Sequence, residues 1–202
     1  GLFSMLDRSI PFYNMILKCS AYKPFAITLP KGFFFKQFEP GDEIAWAALE
    51  HEIGDFSSPE EALAYFQKAY GASPEELRRR AVVLANDTGT KGFCIAWRDF
   101  RQGVPVASLH WLVVSPAWEG KGLGRALVQK TLELYEKLGE FPVYLHTQPW
   151  SYRALMLYLH LGFRLQKEDT FSAYENQYWE AVGALEEILS PERFQELLEA
   201  SE

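Results

Sequence analysis

Cysteine is nearly absent from this chain of 202 residues: it has two, Cys19 and Cys94, far apart and in no metal-ligand spacing. That scarcity excludes a disulfide-stapled fold and a metal site built on paired thiols, and both residues read as small buried hydrophobes in a reducing compartment. Positive charge is also in short supply. Lys and Arg total 20 against 27 Asp and Glu, a formal charge of −7, so the basic face that nucleic-acid binding needs to release counterions is missing. An anionic ligand must therefore find a local site. Long apolar runs are missing too. No stretch is long or apolar enough to span a bilayer, and the apolar start, residues 1–17, is broken by Asp7, Arg8 and Asn14 and lacks a small-residue cleavage pattern. The expectation is a cytoplasmic protein that binds neither nucleic acid nor membrane and needs no metal.

Large core side chains are plentiful, with 48% hydrophobic and 15% aromatic residues. A chain of this length buries roughly 70% of the surface its unfolded form exposes, so a single domain over residues 1–202 is the economical reading. Its core would span about residues 31–168, with an N-terminal strand extension over 1–30 and a C-terminal helical extension over 169–202. Residues 12–19 and 33–38 are aromatic and aliphatic runs bounded by Pro11, Pro30 and Gly32, the punctuation of strands. Ile44, Ala47 and Ala48 step at helical spacing toward Gly54. Ser58-Pro59-Glu60-Glu61 combines an N-cap serine, proline at the first helical position and a glutamate able to reach back, and Ser73-Pro74-Glu75-Glu76 repeats it. Residues 81–85 and 92–97 flank a turn and predict a hairpin, and residues 104–114 form a third run.

From Gly122 the period changes from two to 3.6. Leu123, Ala126, Leu127, Leu134, Tyr135 and Leu138 make one helical stripe that ends at Gly139. A short strand over 143–147, a helix over 151–161 and a strand over 163–166 follow, then two more helices beyond Tyr178. Hairpins followed by strand-helix-strand-helix-strand predict an α/β fold whose mixed, mainly antiparallel central sheet carries helices on both faces, since parallel neighbours need crossovers. The aromatic C-terminal segment can pack on the core or on a second copy in a homodimer.

Between the third run and the long helix lies Glu119-Gly120-Lys121-Gly122-Leu123-Gly124-Arg125-Ala126. Glycines here free the backbone to aim several N–H groups at one spot, and the positive end of the helix adds to them, so a diphosphate can be held without a broad basic patch. Lys121 and Arg125 add two local cations. A tight strand-to-helix turn can also use glycine for geometry alone. A nucleoside triphosphatase loop is excluded, because no Lys-Ser or Lys-Thr pair follows Gly122, and the Gly-x-Gly-x-Gly spacing fits a dinucleotide fingerprint badly.

This loop resembles the cofactor loop of the GNAT acetyltransferase family, matching at the glycines and departing at Glu119, where the family has Gln or Arg. A second block, Ser151-Tyr152-Arg153-Ala154-Leu155-Met156-Leu157-Tyr158 with Leu161-Gly162-Phe163, is similar to that family's Asn-x-x-Ala, Leu-Tyr, Gly-Phe pattern. Ser151 stands where asparagine is frequent; its hydroxyl could meet the pantetheine arm or cap the helix. The resemblance implies an acyl-CoA N-acyltransferase fold and acetyl-coenzyme A as co-substrate, wedged between the strands over 104–114 and 143–147. It also implies main-chain donors at Leu112, Val113 and Val114 for the acyl oxygen. Transfer would go to a primary amine of a small molecule or peptide by direct attack.

The same resemblance makes Tyr158 the general acid for the departing thiolate, a task that suits a phenol still protonated at neutral pH. It makes His110 the base that deprotonates the amine, and imidazole is a sensible choice near working pH. A satisfied core tyrosine and a structural histidine are the plain alternatives. Alternation puts Ser108, His110, Leu112 and Val114 on one strand face and Leu109, Trp111 and Val113 on the other. The acceptor would meet Trp46, Asp55, Phe56, Trp97 and Trp111, with Glu50, Glu52 and Asp55 able to attract a cation. A noncatalytic acyl-coenzyme A sensor, favoured by Glu119 and Ser151, is the rival reading.

Overall fold

The protein's structure, a computed structural model, describes residues 6–202, so the first five residues of the apolar start lie outside the described residues. Among the described residues, seven strands pair in the order β2-β3-β4-β5-β6-β1-β7, numbered along the chain. They are β1 Met15–Cys19, β2 Phe34–Gln37, β3 Ala81–Asn86, β4 Gly89–Arg101, β5 Val104–Val114, β6 Val143–Thr147 and β7 Arg164–Leu165. Seven α-helices accompany them: α1 Asp42–Glu52, α2 Pro59–Tyr70, α3 Pro74–Arg80, α4 Leu123–Leu138, α5 Tyr152–His160, α6 Tyr178–Glu186 and α7 Pro191–Glu199. The sheet is mixed and mostly antiparallel, with β5 and β6 parallel across the α4 crossover. No helix among the described residues is long and apolar enough to cross a membrane.

The chain groups into two compact units, one gathering Phe25–Trp97 and Leu109–Leu134, the other Asp7–Pro24, Arg98–Ser108 and Tyr135–Glu202. In the first unit, β2 and β3 pair from Phe34 opposite Ala85 to Gln37 opposite Val82, and β3 pairs with β4. β3 is buried along its whole length, which is why its run of alanine, valine and leucine shows no alternation. Trp46, Phe66, Tyr70, Val83, Phe93, Ile95 and Val113 share one core. Ser58 caps α2 as expected, its Oγ accepting from the Glu61 N–H at 3.0 Å, while the Glu61 carboxylate takes the Ser57 hydroxyl. Ser73 departs from the pattern: its carbonyl opens α3 through the Leu77 N–H at 3.0 Å, but its side chain makes no capping bond. The apolar stripe of α1 also differs. Ala47 is buried as expected, but Ile44 and Ala48 are exposed, and the helix buries Trp46, Leu49 and Glu50 beside Ala47, with Ile53 just beyond, because the indole fills more of the core than an alanine stripe could.

The second unit contains the feature least visible in the sequence. β1 inserts between β6 and β7, antiparallel to both, with Leu17 opposite Leu145 on one side and Leu165 on the other. Met15, Ile16 and Leu17 are fully buried, as a strand paired on both edges requires. Ile16, Tyr144 and Phe171 form its small core. Asp169 accepts from the Tyr144 hydroxyl at 2.7 Å and from Arg101 Nε at 3.1 Å. Burial, then the Asp169 bond, push the Tyr144 phenol up to about 12. Both cysteines are buried and free, and burial pushes the Cys94 thiol up to about 12.

Candidate active site

The glycine loop leaves β5 under tight control. The Ser115 N–H donates to the Lys91 carbonyl at 2.7 Å, tying the exit of β5 to β4, and a single helical turn follows at Pro116–Trp118. Trp118 packs edge-on against Phe33 at 5.2 Å and holds that turn in place. Gly120 and Gly122 then adopt φ values of 79° and 78°, the left-handed region that strains any residue with a Cβ. No atom lies within 4 Å of where either Cβ would stand, so conformation rather than crowding demands glycine, and the space beside the loop is open. Inside α4 the Ala126 N–H donates to the Gly122 carbonyl at 3.1 Å. The amides of Leu123, Gly124 and Arg125 therefore precede that bond, at the positive end of a 16-residue helix. Lys121 and Arg125 are exposed beside them; Glu119 is half-buried. This arrangement can hold an anion of diphosphate size on main-chain donors.

β5 does not keep the expected alternation. Trp111 sits at φ 54°, a left-handed residue inside the strand, and such an irregularity puts neighbours on the same side. His110 Nδ1 lies 2.6 Å from the Tyr70 hydroxyl of α2, while Trp111 packs on Trp46 of α1 at 5.6 Å and on Tyr65 of α2 at 5.3 Å. His110 and Trp111 thus both address the α1 and α2 helices rather than opposite faces. Tyr70 is fully buried, and Trp97 stands edge-on to it at 4.9 Å, so Trp97 braces the histidine's partner. Leu112 is half-buried, and Val113 and Val114 are buried.

Trp46, Phe56, Tyr65 and Trp111 form a closed tetrad in which all six pairs of rings have centroids 5.3–6.4 Å apart. Trp46 is fully buried, but Tyr65 is 39% exposed, so the tetrad reaches the surface. One turn beyond Trp46 on the same face of α1 comes Glu50, only 1% exposed, with its carboxyl hydrogen-bonded to the Asp55 side chain. The Trp46 Nε1–H is buried and unmatched. Loss of hydration pushes the Glu50 carboxyl well above the usual carboxylate range, and the nearby charge of half-buried Asp55 adds to the effect. Glu52 is exposed.

The second unit holds the remaining expected residues. Tyr158 of α5 is buried, edge-on to Phe163 at 5.8 Å, and Ala154 is half-buried. Ser151 occupies the N-cap position of α5 but its hydroxyl makes no capping bond. His146 is a structural histidine: Nε2 lies 2.8 Å from Asn14 Oδ1, the ring stacks on Tyr174 at 3.8 Å, and burial lowers its pKa to about 4. Sequence reasoning missed Tyr65 and Tyr70. The aromatic run Tyr65-Phe66, with Tyr70 four residues on, was the available signal, since it marks two adjacent faces of α2 as ring-bearing. Among the described residues no group of three or more His, Cys, Asp and Glu side chains could hold a metal ion.

These features meet in one family. The profile of the acetyltransferase (GNAT) family matches residues 42–163, and the chain belongs to that family of acyltransferases. It is 28% identical over 140 residues to a mycothiol acetyltransferase of Pseudarthrobacter chlorophenolicus, covering 67% of this chain and 43% of that protein. It is 30% identical over 128 residues to a glucosamine 6-phosphate N-acetyltransferase of Trypanosoma brucei brucei, covering 56% of this chain and 85% of that protein. The chain spans less than half the length of the mycothiol acetyltransferases it matches. Among solved structures, a GCN5-related N-acetyltransferase from Sphaerobacter thermophilus shares the fold with a TM-score of 0.58 at 23% identity, over 77% of this chain and 49% of that one.

Proposed function

We propose that this chain is an N-acetyltransferase that moves the acetyl group of acetyl-coenzyme A onto a primary amine of a small molecule or peptide by direct attack. The observation that carries the reading is the pair of left-handed glycines, Gly120 and Gly122, opening α4. Open space beside both, the amides of residues 123–125 and the flanking Lys121 and Arg125 fit a diphosphate, and Glu119 is the one misfit. When bound, acetyl-coenzyme A supplies the acyl group as an activated thioester.

The residues of the chain do the rest. His110 accepts the amine proton as the new carbon–nitrogen bond forms, directly or through one water. That role requires the tautomer in which Nδ1–H donates to the Tyr70 hydroxyl oxygen, so that Nε2 is the ring nitrogen that takes the proton. Main-chain N–H groups at Leu112, Val113 and Val114 bear the charge that grows on the acyl oxygen. Tyr158 gives its phenolic proton to the sulfur as the carbon–sulfur bond breaks. No covalent enzyme intermediate is needed, so the proton, the acyl group and the electron pair are all accounted for within one ternary complex.

The experiment is release of free thiol from acetyl-coenzyme A across a panel of amines, with His110→Ala and Tyr158→Phe alongside. Each variant is expected to lower kcat by about 100- to 10,000-fold, the usual contribution of an acid or base. Undiminished turnover in either would remove that residue's role. Tight cofactor binding with no amine acetylated would favour a noncatalytic sensor instead.

A further inference from the structure

We propose that the cavity where the loop after β7 meets the β4–β5 hairpin binds a free α-amino acid, taking its carboxylate on Arg101 and its ammonium on Glu168. Every residue involved belongs to the second unit. Residues 167–177 leave β7, cross the sheet face and return. On the outward limb Asp169 meets Lys18 of β1, Tyr144 of β6 and Arg101 of β4, and the Ser172 N–H donates to the Phe100 carbonyl at 2.6 Å. On the way back the Gln177 N–H donates to the Asn14 carbonyl at 3.1 Å, and Asn176 Nδ2 ties the limbs together through the Gln166 and Asp169 carbonyls. Between this loop and the hairpin lies a cavity of about 420 Å³, bounded by Arg101, Gln102 and residues 168–172. That volume suits a small molecule, since such sites span about 300–1,000 Å³.

The lining carries both signs of charge, and its hydrogen bonds say which groups remain for a ligand. Asp169 is fully engaged: Oδ1 accepts from Arg101 Nε at 3.1 Å and from the Thr170 N–H at 2.9 Å, and Oδ2 accepts from the Tyr144 hydroxyl at 2.7 Å with Lys18 Nζ at 3.5 Å. Two cations thus share one carboxylate, which leaves a positive charge uncancelled. Arg101 is 41% exposed and meets Asp169 through Nε and Nη2 alone, so among the described residues Nη1 has no partner. A guanidinium presents five N–H donors in a planar fork, and the free edge of this one fits a carboxylate. Glu168 is exposed, and among the described residues its carboxylate makes no hydrogen bond or ion pair. An anion alone would be repelled by Glu168, and a cation alone by Arg101. A ligand bearing both charges satisfies both, and Phe171 supplies apolar lining for its side chain. Ser172 adds an independent mark. It sits at φ 55°, a left-handed conformation uncommon for a residue with a Cβ, and strain of that kind gathers at ligand clamps.

The test is titration calorimetry without acetyl-coenzyme A, using L-leucine, 4-methylpentanoate, which lacks the ammonium, and 3-methylbutylamine, which lacks the carboxylate. Leucine should bind about 10- to 100-fold more tightly than either, the scale of one charge-assisted bond. Glu168→Gln should bring leucine down to the level of 4-methylpentanoate while leaving that carboxylate unweakened. Arg101→Gln, shown folded by its circular dichroism melt, should bring leucine down to the level of the amine; the ligand series decides the matter even where this variant does not fold. No saturable heat with leucine, equal binding of leucine and either single-charge analogue, or leucine binding untouched by Glu168→Gln would overturn the proposal. The last result would also be the signature of leucine entering an acceptor site as a primary amine. None of these outcomes bears on acetyl transfer, which the thiol-release assay tests separately.

Discussion

Glu50 should weaken the ligand-free protein, and replacing it should show by how much. The substitution is Glu50→Met, which keeps roughly the volume and removes the buried carboxyl that faces Asp55. Relief of one desolvated carboxyl contributes about 1–3 kcal/mol, against a repacking cost of less than about 1.5 kcal/mol for a swap of similar volume. The sign with pH follows from the raised carboxyl. In the unfolded chain Glu50 loses its proton above its ordinary value of 4.5, whereas the native carboxyl holds it. Wild-type stability therefore falls as pH climbs from 4.5 toward the native pKa, by at most about 1.4 kcal/mol per pH unit from this group. The Met variant lacks that slope, so its advantage grows with pH. For a chain of this size about 1 kcal/mol corresponds to roughly 2–4 °C, so the variant should melt several degrees higher near pH 8 and close to wild type near pH 5. Scanning calorimetry at both values reads it. A variant that melts lower near pH 8, or whose difference ignores pH, would refute the reasoning.

Tyr70→Phe removes the hydroxyl that orients His110; initial-rate kinetics should show kcat reduced by about 3- to 10-fold with little change in KM, the scale of one neutral hydrogen bond. Gly122→Ala forces a Cβ onto a φ of 78° in open space, so melts should show a loss of about 1–2 kcal/mol from backbone strain alone, together with weaker cofactor binding. Gly92→Ala meets the Val113 carbonyl at 2.9 Å and Leu127 Cδ1 at 2.8 Å, so urea unfolding should show a loss of about 1–3 kcal/mol from overpacking. His146, with its pKa lowered to about 4, binds its proton more readily in the unfolded chain, so stability should drop as pH falls from 6.5 to about 4. The drop is about 3 kcal/mol from this group, and His146→Leu should flatten that limb in acid unfolding curves.

The elements that announced themselves in the sequence are those whose signals are local. β5, α4 and β6 follow from a switch of period between residues 114 and 123, and the glycine loop is visible because turn, amides and helix start are contiguous. Ser58 acts as its spacing predicts, through the Glu61 N–H, while Ser73 shows that the same four-residue pattern does not fix a side-chain rotamer. Non-local pairing hid the rest. Nothing in residues 12–19 says that β1 will divide β6 from β7, since that order is chosen by which buried edges remain unpaired. The Trp111 irregularity defeated a strict period of two, and it brings His110 to Tyr70, a partner 40 residues away that no short motif can name. Glu50 read as one of three acids able to attract a cation, and its burial becomes visible only when Trp46 and Ile53 define the inward face of α1.

The account depends most on main-chain donors at the start of α4 gripping a diphosphate, and titration calorimetry measures that directly. Acetyl-coenzyme A should bind in the micromolar range, and acetyl-pantetheine, which keeps the thioester but lacks the diphosphate, should bind at least about 100-fold more weakly, as two or more lost charge-assisted bonds require. Equal affinity for the two donors, or no heat with either, would contradict it.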